Sequence, residues 1–191
     1  IAMNCAAIEQ VSLTFADGET ANLVVAVEDN NTAAAYLLEY KKAGDPGYTT
    51  VNNATMPYTI SNVDYNTTYE VRVAAVCGTE QTGFTTASIT TPCQSMPIPW
   101  VEPFDMNPIG SECWAIKMGL LPANGSIATS SMSDYPYAWR FDNSTSLGGS
   151  ISGRLWSNIY NSSNYWVITP SVNLGDGSEI YQLSVDVAAT A

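Results

Sequence analysis

From Val11 to Ala75 the apolar residues recur with a period of two. They fall into sets: Val11, Leu13 and Phe15; Leu23, Val25 and Val27; Tyr36, Leu38 and Tyr40; Tyr58 and Ile60; Tyr69, Val71, Val73 and Ala75. Alternation sends every second side chain to the same face of a strand, so each set predicts a half-buried β-strand. Glu70 and Arg72 fall on the opposite face of the last one. Helical spacing is nearly absent. Asp45-Pro46-Gly47 and Val63-Asp64-Tyr65-Asn66 supply turn chemistry between the predicted strands. Strands at this spacing predict an all-β fold and, over the first half, an antiparallel sandwich.

The pattern changes where Thr90-Thr91-Pro92-Cys93 runs into Met96-Pro97-Ile98-Pro99-Trp100. Closely spaced prolines make a short, stiff connection. Trp114, Trp139, Trp156 and Trp166 follow in turn-rich sequence. The predicted organisation is a first domain over 1–92, a linker over 93–99 and a second module over 100–191.

Composition narrows the chemistry. Charged residues make up 13% of the 191 residues, about half the usual ~25%, so Ser, Thr and Asn must cover much of the surface. The net charge of -12 argues against nucleic acid, which requires clustered Lys and Arg. The absence of histidine excludes Ser/His and Cys/His nucleophile pairs and removes the commonest zinc ligand. Paired carboxylates work without histidine, but no catalytic constellation stands out, and the expected role is non-enzymatic. No apolar run approaches the ~18 residues of a membrane helix, so no membrane insertion is expected.

Cys5, Cys77, Cys93 and Cys113 lack Cys-x-x-Cys spacing. They read as two structural disulfides of an extracellular or cell-surface protein, with buried free thiols as the alternative. Three connectivities are open. Six sequons, at Asn30, Asn53, Asn66, Asn124, Asn143 and Asn161, read as polar loops.

Val63-x-Tyr65-x-Thr67-x-Tyr69-x-Val71-x-Val73-x-Ala75 resembles the passage from the E–F corner into strand F of a fibronectin type III domain, and Tyr36-x-Leu38-x-Tyr40 is similar to its strand C. The resemblance covers roughly residues 4–92. It implies that Tyr69 is the corner tyrosine, with its hydroxyl bonded back across the turn. Two positions depart from the family: Tyr65 stands where proline is usual, and Val27 replaces the strand B tryptophan. The integrin-binding Arg-Gly-Asp loop of some members is absent.

In the second half, Pro99-x-x-Glu102-x-Phe104-Asp105, Cys113-Trp114, and Asn164-Tyr165-Trp166-Val167-Ile168-Thr169-Pro170-Ser171-Val172-Asn173-Leu174 resemble the opening and signature strands of cleaved-adhesin and choice-of-anchor jelly-roll modules. These are relatives of MAM sandwiches in Bacteroidetes surface and secreted proteins. Tyr181-x-Leu183-x-Val185-Asp186-Val187 is similar to the strand that follows. The match spans little more than half of such a module, which implies a truncated jelly roll whose uncovered edge meets a second chain or a continuation of the polypeptide. Both resemblances imply Cys5–Cys77 at one end of the first sandwich and Cys93–Cys113 at the entry to the second module.

The implied function is adhesion or binding of a glycan or host surface protein, as part of a larger protein. A structural spacer and an accessory region of a secreted peptidase are the alternatives. Tyr137, Trp139, Trp156 and Tyr160 are the candidate sugar platform, because flat rings among polar turns suit the apolar faces of sugars; core packing is the competing role. Trp114 and Trp166 lie in matched strands and read as core. Calcium is the metal that suits acids without histidine. Glu102, Asp105 and Asp186 are its candidate ligands, although alternation also fits Asp186 as a solvent-exposed acid.

Overall fold

The computed structural model describes residues 5–18, 20–30, 35–103, 113–119, 133–134, 140–142, 154–156 and 164–185. Two compact units follow one another, Ile1–Cys93 and Gln94–Ala191, and the described residues contain antiparallel strands and no helix.

In the first unit, β1 (Gln10–Ala16), β2 (Asn22–Glu28) and β5 (Tyr58–Ser61) form one sheet in the order β1-β2-β5. The other sheet has β4 (Thr49–Ala54), β3 (Ala35–Lys42) and β6 (Thr68–Cys77) side by side, with β7 (Glu80–Gln81) and β8 (Thr85–Thr90) also paired to β6. Every expected alternating set lies on one of these strands, and its apolar members point between the sheets. Leu23, Val25, Leu38, Val71 and Val73 are fully buried there. Burying a side chain of this kind contributes about 1.5–3 kcal/mol, so the inward faces of β2, β3 and β6 hold the sandwich together. Leu13, Phe15, Val27 and Tyr40 pack around the rim of the core.

Three strands of this unit, β4, β7 and β8, have no counterpart in the alternating pattern. In β4 the sequence Thr-Thr-Val-Asn-Asn-Ala is almost wholly polar because the strand lies at a sheet edge and buries little beyond Ala54. Its register with β3 shifts between Tyr36 and Leu38, and Asn53 takes a positive φ of 54°. An irregularity of this kind blunts an open edge. In β8 only Ala87 and Ile89 turn toward the core, between Thr86, Ser88 and Thr90.

A compact polar network holds the corner before β6. The Tyr69 hydroxyl accepts from the Asp64 amide at 2.9 Å, as the corner reading expects. The Thr91 hydroxyl accepts from the Thr67 amide at 2.9 Å and donates to the Asp64 carbonyl at 2.7 Å. Thr91 is 2% exposed, so water cannot replace these bonds. Tyr65 gains a role of its own: its ring meets Phe15 edge-on at 5.8 Å and its hydroxyl donates to Asp17 at 2.7 Å, fastening the corner to the end of β1.

Cys5 and Cys77 are joined by a disulfide across 72 residues. Cys93 and Cys113 are disulfide-bonded too, and no cysteine is free. The two disulfides indicate an oxidising environment.

In the second unit, β9 (Ala115–Met118) lies between β10 (Ser133–Asp134) and β13 (Tyr165–Ile168), while β11 (Arg140–Asp142) pairs with β12 (Arg154–Trp156). Trp114 is buried and its ring lies 6.1 Å from that of Trp100; the half-buried Trp166 donates its indole N–H to the Gly119 carbonyl at 2.8 Å. Met96 forms a parallel bridge with Val172, donating to the Ser171 carbonyl at 2.8 Å and accepting from the Asn173 amide at 2.9 Å.

Two expected strands have described parts that form no ladder. The described part of the opening segment, 99–103, has no ladder, because Pro99 and Pro103 carry no N–H to donate. Residues 181–185 form no strand, and Tyr181, Leu183 and Val185 are exposed. Alternation gives such a segment a face, but a strand exists only where a neighbour accepts its hydrogen bonds, and none of the described residues does so.

Two outcomes check this account. Tyr69→Phe removes one hydrogen bond, to the exposed Asp64, and should cost about 1 kcal/mol, whereas Thr91→Val removes the several bonds of a buried hydroxyl and should cost more, about 1–3 kcal/mol; urea unfolding should rank them in that order. Replacing Cys5 and Cys77 by serine should destabilise the first unit by roughly 2–4 kcal/mol, and non-reducing peptide mapping should recover Cys5 linked to Cys77.

Candidate binding surface

The outer face of the larger sheet carries the densest polar and aromatic grouping among the described residues. Register brings it about. Pairing of Tyr36 with Ala75 and of Leu38 with Val73 turns those side chains inward and leaves Glu39 opposite Arg72, and Lys41 opposite Glu70, on the outside. Arg72 Nη2 lies 2.5 Å from Glu39 Oε2, and Nε donates to the same oxygen at 2.6 Å. Lys41 Nζ lies 3.2 Å from Glu70.

Aromatic residues from two connections close around this double pair. Tyr48, just after the Asp45-Pro46-Gly47 turn, lies beneath Arg72, whose guanidinium carbon is 4.0 Å from the ring centroid. Phe84, just before β8, lies 4.5 Å from the same carbon. Lys41 also sits over Tyr48, at 5.0 Å. The Tyr48 hydroxyl donates to Glu70 at 3.3 Å, and the Thr50 hydroxyl donates to Glu39 at 3.2 Å. Thr86, Ser88 and Thr90 extend the face with exposed hydroxyls along β8.

The energies involved are small. Ion pairs exposed to this degree contribute about 0–1 kcal/mol each, and exposed cation–π contacts about 0.5–1 kcal/mol. The sandwich therefore does not depend on the group for its stability. What the group does is fix the plane of a guanidinium at the surface with carboxylates and hydroxyls on either side.

At one end of the sandwich, Tyr40, Lys42, Asp45, Ser61, Asn62 and Val63 line a cleft of about 230 Å³, smaller than the usual ~300–1,000 Å³ of a small-molecule pocket. The Lys42 ammonium is held above its ordinary value by its hydrogen bond and charge interaction with Asp64. The Tyr65 phenol is raised likewise by its hydrogen bond to Asp17. For Tyr36 and Tyr40 burial is the first cause of an upward shift. All these groups keep their usual neutral-pH charge, and none is set up for proton transfer.

The sequence-based candidates fall elsewhere. Tyr137, Trp139 and Tyr160 lie outside the described residues, and Trp156 is placed only through the backbone of β12, opposite Arg140. Of the three acids considered for calcium, Glu102 is half-buried at 101–103, while Asp105 and Asp186 lie outside the described residues. Among the described residues no three acids or cysteines gather as a metal site. Alternation does not single out Tyr48 and Phe84, because neither belongs to an alternating set; each follows a glycine, Gly47 and Gly83, in a connection between strands. Their one legible signal is the run of charges opposite the apolar set of β3.

No family model matches the chain and no curated protein matches it. Among solved structures, a β-sandwich protein from a computer-based redesign study is 23% identical, with a TM-score of 0.39 over 46% of this chain and 90% of that one. A structure described as that of a myokine is 16% identical, with a TM-score of 0.38 over 47% of this chain and 99% of that one.

Proposed function

We propose that this chain is a non-catalytic binding and adhesion region of a larger secreted or cell-surface protein, in which a fibronectin type III domain precedes a jelly-roll module of the cleaved-adhesin kind. The sheet order of the first unit and the Tyr69–Asp64 corner bond support the first assignment. The Trp166–Val167–Ile168 strand beside β9 supports the second. The observation that carries the binding role is the partly exposed grouping of Tyr48, Phe84 and Arg72 on a sheet face whose stability does not require it. Tyrosine and arginine are enriched at contact surfaces because they offer large area and several donors at little entropic cost.

A spacer role is the second reading, favoured by the shortness of the connection. The Pro92 carbonyl still bonds within the first unit, to the Asn66 amide, and Met96 already bonds within the second. A spacer and an appendage of a secreted peptidase would both leave the chain without a ligand. Structural calcium at Glu102, Asp105 and Asp186 belongs to this reading of the second module.

Arrayed glycans and host extracellular proteins, probed with the intact chain, test the proposal: saturable binding to one of them is expected, and silence on both arrays makes the chain a spacer. For calcium, melting in chelator should fall below melting in excess calcium; identical curves remove the metal.

A further inference from the structure

We propose that the outer face of the larger sheet in the first unit, centred on the Tyr48–Arg72–Phe84 stack, is a contact surface for a neutral polyhydroxylated chain, that is, an uncharged glycan. The inference rests on the binding role proposed above and assigns it a face and a ligand class.

Charge selects the class of partner. The chain carries a net charge of -12, yet on this face Glu39 and Glu70 are matched by Arg72 and Lys41 within 2.5–3.2 Å, and the group sums to zero. An anionic glycan would find both cations already paired and the rest of the molecule repulsive. A basic partner would find both carboxylates occupied. A neutral ligand meets neither penalty.

Hydrogen-bonding capacity points the same way. Glu39 engages Nε and Nη2 of Arg72, and no other acceptor among the described residues meets the guanidinium, so most of its five N–H donors remain for a ligand. Donors on Arg72 lie beside acceptors on Glu39 and Glu70 and the hydroxyls of Thr86 and Ser88. Adjacent hydroxyls on a sugar ring, each both donor and acceptor, suit such a mixed array, and bonds to charged partners are the stronger kind. The guanidinium is already clamped between two rings, so little freedom remains to be lost on binding. Phe84, 37% exposed, adds an apolar edge for the C–H face of a sugar.

The experiment compares the intact chain with Phe84→Ala, Arg72→Lys and Ser88→Arg on arrays of neutral, sulfated and sialylated oligosaccharides and of extracellular proteins. Ser88→Arg removes none of the contacts described and only obstructs the face; melting curves confirm that each variant folds. The expected result is wild-type binding to neutral oligosaccharides, weakened at least about tenfold by each substitution. Neutral-glycan binding that survives Phe84→Ala and Ser88→Arg overturns the assignment of the face while leaving the binding role intact. Binding confined to charged glycans or to proteins overturns the ligand class. No binding by the wild type overturns this inference and the binding role together.

Discussion

The pairing of β3 with β6 is the constraint on which the rest of the first unit depends. It runs without interruption from Ala35 opposite Val76 to Lys42 opposite Tyr69. In a ladder a shift of one residue sends every side chain to the other face. Here a slip of β3 would bury Glu39 and Lys41 and expose Leu38, and a slip of β6 would bury Glu70 and Arg72 and expose Val71 and Val73. Burial of unpaired charge and loss of apolar burial both oppose it, so a single register is strongly favoured. That register places Leu38 and Val73 in the core and Glu39 beside Arg72 on the surface. Core and candidate surface are two faces of one pairing.

The ends of the same strand are tied down by different means. At its start, Tyr69 and the buried Thr91 hold the corner through hydrogen bonds to backbone groups of Asp64 and Thr67. At its end, the disulfide from Cys77 to Cys5 restrains the segment leading into β1. Tyr65, where the resembling family has proline, restrains the corner by a different route. Proline would limit the backbone directly; Tyr65 reaches outward to Phe15 and Asp17 instead. The covalent and polar ties fix the ends of a strand whose middle is held by apolar burial.

The surface grouping follows from this frame. Opposed charges on β3 and β6 offer a site over which planar groups can stack, and the turns after β3 and before β8 supply Tyr48 and Phe84 to fill it. Because the stack is partly exposed and individually weak, it constrains orientation more than it stabilises the fold. Candidate chemistry thereby stands on the first sandwich as well as in the tryptophan-rich second half.

Alternation along the chain was enough for the all-β class and for the five apolar sets that became strands β1, β2, β3, β5 and β6, and the buried position of Trp114 was legible too, whereas Trp166, expected in the core, is half-buried. Each is a local matter: alternation states which face of a strand is buried, and a turn's chemistry lies in neighbouring residues. Polar strands such as β4, and the failure of 181–185 to form one, were decided by tertiary structure, because a strand is completed by hydrogen bonds to a distant segment that its own residues do not name. The stack around Arg72 was decided in the same way. Tyr48, Arg72 and Phe84 are far apart or lie in turns along the chain, and only the β3–β6 register, fixed by burial on the opposite face, brings them within contact distance.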